Sequence, residues 1–214
     1  MAHDLAALLS RLGFDRVEVV AGHSAGAAIG LALALGDPAL HDERAAPHRA
    51  RATGIEVGTV FGIAPSLVPP PALYTLMLGP LLAPLVGSAA SIAAASLLTR
   101  TTRTADRLLD STGSEISETQ RADYRKLLAS RTHLQGAVDF MAATRLPDLL
   151  QTLQGLRCDT HFLLAEDDPW IPSERLRAVI ERHLPRAGIE SCRGGPLLPE
   201  SRPERVAERI AAML

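Results

Sequence analysis

The passage from Val17 to Leu35 restricts this chain more than any other part of it. A β-branched run, Val17-Glu18-Val19-Val20-Ala21, gives way to Gly22-His23-Ser24-Ala25-Gly26 and then to the small, apolar run Ala27 to Leu35. The first run suits a buried parallel strand and the last a buried helix. Glycines between them let the backbone turn abruptly, and a side chain at either glycine is predicted to collide across the turn. Ser24 would then sit at the tip in a strained conformation with its hydroxyl above the sheet edge. The Ala25 N–H and the amino-terminal dipole of the following helix would face the place where negative charge develops on a substrate oxygen.

Strand and helix signals recur at the far end of the chain. Leu5, Leu8, Leu9 and Leu12 form a helical stripe that stops at Gly13. His161-Phe162-Leu163-Leu164 reads as a strand, followed by the acidic Glu166-Asp167-Asp168. A helix is expected from Ser173 with Leu176, Val179, Ile180 and Leu184 on one face, then a weak strand over Gly188 to Cys192. The last helix is expected from Pro203, with Val206, Ile210 and Leu214 four apart. Between these ends, two capping boxes, Ser117 to Gln120 and Thr132 to Gln135, start helices over roughly Glu118 to Ser130 and His133 to Ala143. The stretch from Val57 to Thr99 has no charged residue but is broken by Pro65, Pro69, Pro70, Pro71, Pro80 and Pro84, which argues against a regular spanning helix. Residues Asp37 to Glu56 read as a solvated connecting loop. The expected organisation is an α/β core over residues 1–64 and 151–214, with a helical cap over 65–150.

Composition excludes several classes. With 22 basic and 24 acidic side chains and a net charge of -2, no basic field exists to attract nucleic acid. Cys158 and Cys192 are too few for a disulfide framework and suit buried thiols in a reducing cytosol. The opening residues, without a basic segment followed by an apolar core and a cleavage site, do not read as a secretion signal. No grouping of His, Cys, Asp and Glu has metal-ligand spacing, so neither a metal nor a cofactor is expected.

Gly22-His23-Ser24-Ala25-Gly26 in this setting resembles the nucleophile elbow of the α/β-hydrolase family, and the resemblance runs through nearly the whole chain. It implies an α/β-hydrolase fold, a mostly parallel sheet with a helical cap insert, with Ser24 as nucleophile and Ala25 as oxyanion-hole donor. Ala165-Glu166-Asp167-Asp168-Pro169-Trp170-Ile171-Pro172 matches the family's acid loop and puts Asp168 in the acid position, with Asp167 as runner-up. The family's histidine stretch corresponds to Gly194-Gly195-Pro196-Leu197-Leu198-Pro199-Glu200, where Pro196 occupies the position of the base. Proline cannot take a proton from Ser24, and His183 is the last histidine that could substitute. The chain opens on the helix before the elbow strand, so the upstream strands and the loop bearing the second oxyanion donor are not found in it. That reads as an amino-terminally truncated fold whose elbow strand needs a neighbour.

Within the family, the elbow with Ala27 and Ala28, the segment Leu109-Asp110-Ser111-Thr112-Gly113-Ser114 leading into Tyr124-Arg125-Lys126-Leu127-Leu128, and His133 to Ala143 resemble the magnesium-chelatase accessory proteins of bacteriochlorophyll biosynthesis. The resemblance implies a photosynthesis protein that aids magnesium insertion into a porphyrin with little or no hydrolase activity. Its partners would be a porphyrin or another hydrophobic small molecule, magnesium chelatase or a membrane surface, with no nucleic acid. It would be cytoplasmic, or peripheral to the inner or photosynthetic membrane. The uncharged stretch suits a planar apolar ligand or a membrane surface, and equally the lid of a lipase. Arg100, Arg103 and Arg107 near one helical face read as solvated, and Trp170 as a packing residue. The alternative is a serine hydrolase (esterase or lipase-like) acting on a hydrophobic ester. A membrane-associated module with a relic elbow and a decayed gene product are the remaining readings.

Overall fold

The computed structural model describes residues 1–36, 54–68, 92–93, 96–97 and 103–214. In chain order its elements are α1 (Ala2–Arg11), β1 (Arg16–His23), α2 (Ala25–Leu35), β2 (Glu56–Ile63), α3 (Thr104–Asp110), α4 (Glu118–Ala129), α5 (Arg131–Ala143), α6 (Leu146–Thr152), a 3-10 turn (Leu153–Gly155), β3 (Asp159–Ala165), α7 (Ser173–His183), β4 (Gly188–Cys192), α8 (Leu198–Ser201) and α9 (Pro203–Ala211). The four strands form one sheet in the order β1-β2-β3-β4. All pairings are parallel: Arg16↔Glu56 to His23↔Ile63, Thr59↔Asp159 to Ile63↔Leu163, and His161↔Gly188 to Ala165↔Cys192.

The alternation of side chains across the pleat decides what covers each face. Val60, Phe162 and Leu164 point to a face packed by α1, α2, α6 and α7 through Ala6, Leu31, Leu149, Leu176 and Ile180. Phe61, Ile63, Leu163 and Ala165 point to the other face, closed by Leu198 of α8 and Val206 of α9. Being covered on both sides, β2 and β3 read as near-continuous apolar runs. Among the described residues β1 pairs only with β2, and it is more exposed than either inner strand.

Several sequence expectations shift. The buried stripe of α1 is Ala2, Leu5, Ala6 and Leu9, so Leu8 (53% exposed) and Leu12 (62%) face outward. Leu214 lies beyond the end of α9 and is exposed. The first capping box is present with both of its hydrogen bonds. The second is not: Ser130 takes the cap of α5 by accepting from the His133 N–H, which draws Thr132 into the helix. The uncharged stretch begins inside the sheet, since Val57 to Ile63 belong to β2. Residues 37–53 of the expected loop, most of the proline-rich stretch, and Arg100 lie outside the described residues. The two cysteines are free and half-buried.

Candidate active site

The elbow is built as its glycines require. Ser24 has φ 53° and ψ −118°, a conformation costly for any residue with a side chain, and it caps α2. The turn is fixed by the Ser24 N–H donating to the Ile63 carbonyl at 2.9 Å and the Ser66 N–H donating to the Ser24 carbonyl at 3.1 Å. A Cβ on Gly22 would lie 2.4 Å from the Gly26 carbonyl oxygen, so that glycine is obligatory. Gly26 differs from expectation: a Cβ there would meet nothing within 4 Å, because this residue already lies in the first turn of α2 facing open space. Ala25 opens α2, so its N–H is among the helix-start amides that no helical carbonyl accepts.

The carboxyl ends of the strands bring the other groups to this end of the sheet. Asp168, after β3, is 9% exposed, and its Oδ1 accepts from the backbone N–H of Trp170 at 2.7 Å and of Ile171 at 3.0 Å. Burial raises its pKa, opposed by those two hydrogen bonds and by the positive field of His23. Asp167 turns elsewhere: its Oδ2 accepts from the Gly194 N–H at 3.0 Å, tying the acid loop to the loop after β4. Pro196 is half-buried on that second loop, and its carbonyl lies 2.7 Å from His23 Nε2. A carbonyl only accepts, so the imidazole donates from Nε2 and, when neutral, keeps its lone pair on Nδ1. Ser24 Oγ is 2.9 Å from Ser66 Oγ. Two hydroxyls can share a proton but neither can hold one away from the other, so the pair does not activate Ser24.

His183 does not reach the site. It stands at the end of α7 beside Cys158 and Thr160, at the amino-terminal ends of the strands. Sequence reasoning named Ser24, Ala25 and Asp168 but missed His23 and Ser66. The G-H-S spelling carried the first signal, and the Ala64-Pro65-Ser66 turn leaving an apolar strand carried the second.

The segment Ser111 to Ser114 closes over this end of the sheet. Trp170 Nε1 donates to the Ser111 carbonyl at 3.1 Å and the Leu197 N–H donates to Ser114 Oγ at 3.1 Å. Further along, Tyr124 donates to Glu200 Oε1 at 2.6 Å and Gln120 Nε2 to the Glu200 carbonyl at 3.0 Å. Burial and then the Glu200 hydrogen bond push the Tyr124 pKa up. Among the described residues no group of three His, Cys, Asp or Glu side chains is placed to hold a metal ion, and no helix is long and apolar enough to cross a membrane.

A parallel sheet whose first strand turns through a strained serine into a helix, with a buried aspartate after a later strand, defines the alpha/beta hydrolase class. The family model described as "Alpha/beta hydrolase family" matches residues 1–209, and the chain belongs to that family. It is 30% identical over 205 residues to the "Magnesium-chelatase 30 kDa subunit" of Rhodobacter capsulatus, a match covering 94% of this chain and 63% of that protein's length. Solved structures share the fold. The alpha/beta hydrolase enzyme MGS-M2, from a deep-sea metagenome library, superposes with a TM-score of 0.64 at 17% identity, covering 99% of this chain and 70% of that one. The enol-lactonase of Burkholderia xenovorans gives 0.65 at 13% identity, with 99% and 70% covered.

Proposed function

We propose that this alpha/beta hydrolase-fold chain serves magnesium chelatase as an accessory protein of porphyrin metabolism, holding a hydrophobic ligand near Ser24 with little or no hydrolysis. The observation that carries the reading is the Pro196 carbonyl, accepting from His23 where a hydrolase of this family needs a titratable base. The specific role is supported by the 30% identity to a magnesium-chelatase subunit. It is supported also by the place of the Leu109 to Ser114 segment, which in sequence resembles the chelatase accessory proteins and in space roofs the acid loop. The ligand class would be a porphyrin or a comparably apolar small molecule, and the chelatase or a membrane surface would be the larger partner.

The second reading, a serine hydrolase acting on a hydrophobic ester, is favoured by the retained strain at Ser24 and the buried, backbone-oriented Asp168. One experiment separates the two. The protein is titrated into protoporphyrin IX while the porphyrin absorption band is followed, then added to a magnesium-chelatase assay, with a parallel sample exposed to a fluorophosphonate. A saturable band shift with faster magnesium insertion and no labelling is expected. Labelling that disappears in Ser24→Ala, without any porphyrin effect, would replace the accessory reading by the hydrolase.

A further inference from the structure

The opposite end of the sheet carries a second concavity. A cavity of about 270 Å³ opens where β3 begins, between the 3-10 turn and the connection from α7 to β4. Cys158, Asp159, Thr160 and His183 form part of its wall, and Arg157 and Arg186 flank it. The seven residues of β3 separate it from the elbow by roughly 20 Å, at about 3.3 Å per residue.

Its chemistry is lopsided. Arg157 and Arg186 are both exposed basic side chains at its rim, and among the described residues neither is ion-paired to a carboxylate. Asp159, the acidic residue of the wall, offsets one of the two charges. Burial pushes the Cys158 thiol up, so it stays neutral and does not repel a negative ligand. His183 sits at the carbonyl end of α7, where the helix dipole alone accounts for a basic side chain. The dipole accounts for neither guanidinium, since Arg157 precedes β3 and Arg186 lies in the loop after α7.

We propose that this cavity is a binding site for a small phosphate-bearing anion, gripped by Arg157 and Arg186 and bounded by His183. Guanidinium forks match phosphate oxygens two at a time, which favours phosphate over a spherical anion such as chloride. A cavity of about 270 Å³ has room for phosphate or a small phosphomonoester. The site is independent of the elbow and of whatever ligand the elbow takes.

Inorganic phosphate is titrated into the full chain by calorimetry against a chloride background of equal ionic strength. The same titration is run on R157Q/R186Q and on R131Q, which removes an exposed arginine far along the chain. Saturable binding, weakened at least tenfold in R157Q/R186Q and unchanged in R131Q, is expected. In the wild type, phosphate should move the backbone amide resonances of Thr160 and Ala187 while leaving those of Gly22 to Gly26 in place. Co-sedimentation with phosphatidic acid vesicles, lost in R157Q/R186Q, would identify a lipid headgroup as the source of the phosphate; free phosphate binding without vesicle binding would identify a soluble one. No saturable binding, or binding equal in all three proteins, overturns the proposal.

Discussion

Gly195→Ala should unfasten the roof over the candidate site. The added Cβ would lie 2.4 Å from the Thr112 carbonyl oxygen, 2.5 Å from Ser114 Oγ and 3.0 Å from the Ser114 N–H nitrogen. Relief to ordinary contact needs a shift of roughly 1 Å. The Thr112 to Ser114 segment is poorly placed to give it. Thr112 Oγ1 donates to the Leu109 carbonyl at 2.7 Å and accepts from the Ser114 N–H at 3.1 Å, which binds the loop to the end of α3. The seam itself should therefore open, losing the Leu197-to-Ser114 and Trp170-to-Ser111 hydrogen bonds. Overpacking costs about 1–3 kcal/mol and each of the two lost hydrogen bonds about 1 kcal/mol, so a total near 3–5 kcal/mol is expected. Trp170 is the chain's single tryptophan, so its fluorescence reports the seam without interference. Urea unfolding followed by its emission should show the stability loss, with a red-shifted native spectrum as the indole loses its partner. Gly136→Ala is the control: it sits inside α5 with nothing within 4 Å and should gain up to about 1 kcal/mol from helix propensity. A Gly195→Ala protein as stable as the wild type, with unchanged emission, would refute the close seating of Thr112 and Ser114 on this loop.

On the proposed accessory reading, Pro196→His, which puts an imidazole where the family's base falls in sequence, should raise hydrolysis of a hydrophobic nitrophenyl ester by about 10²-fold or more and increase fluorophosphonate labelling of Ser24; a folded variant with unchanged turnover would mean that a base at this position is not what limits the site. Ser24→Gly should be more stable than Ser24→Ala by about 1–2 kcal/mol, because both delete the hydroxyl but only glycine relieves φ 53°. Equal denaturation midpoints for the two variants would mean that no strain is stored at the tip. Tyr124 has its pKa raised in the folded state, so it binds its proton more tightly there than in the unfolded chain. Its contribution is complete below the unfolded value near 10 and is lost as pH rises beyond it. Tyr124→Phe should cost about 1.5–3 kcal/mol at neutral pH through the bond to Glu200 and should flatten the alkaline stability loss. Urea midpoints at pH 9 and pH 11 that fall equally in both proteins would contradict this.

The fold was legible where its causes are local. Val17 to Ala21, Gly22 to Gly26 and Ala27 to Leu35 specify strand, turn and helix by pattern alone, and β1 and α2 formed there. Gly188 to Cys192 forms β4 with the bounds its residues suggested. β2 was harder to see because it opens a long uncharged stretch, and an apolar run buried on both faces has no alternation to announce it. The capping of α5 by Ser130 was missed for a similar reason. Ser130 and Thr132 both offer a hydroxyl, and which one caps depends on where α4 ends, a fact outside the local pattern.

The site divides along the same line, and that division bears on function. Ser24, Ala25 and Asp168 follow from spacing within single loops. His23, Ser66 and Gly195 matter through contacts between segments distant in sequence: His23 reaches Pro196, Ser66 reaches Ser24, and Gly195 leaves room for Thr112 and Ser114. These contacts tie the loop after β4 to the elbow and to the segment after α3. In a working triad the imidazole is held between aspartate and serine, and those interactions help fix the loop that carries it. Here the loop is fixed by other means: the His23 imidazole on the Pro196 carbonyl, Asp167 on the Gly194 N–H, and Ser114 on the Leu197 N–H. Three anchors of this kind, none of them a hydrogen bond to Ser24, hold the Gly194 to Leu197 loop against the elbow, the acid loop and the Ser111 to Ser114 segment.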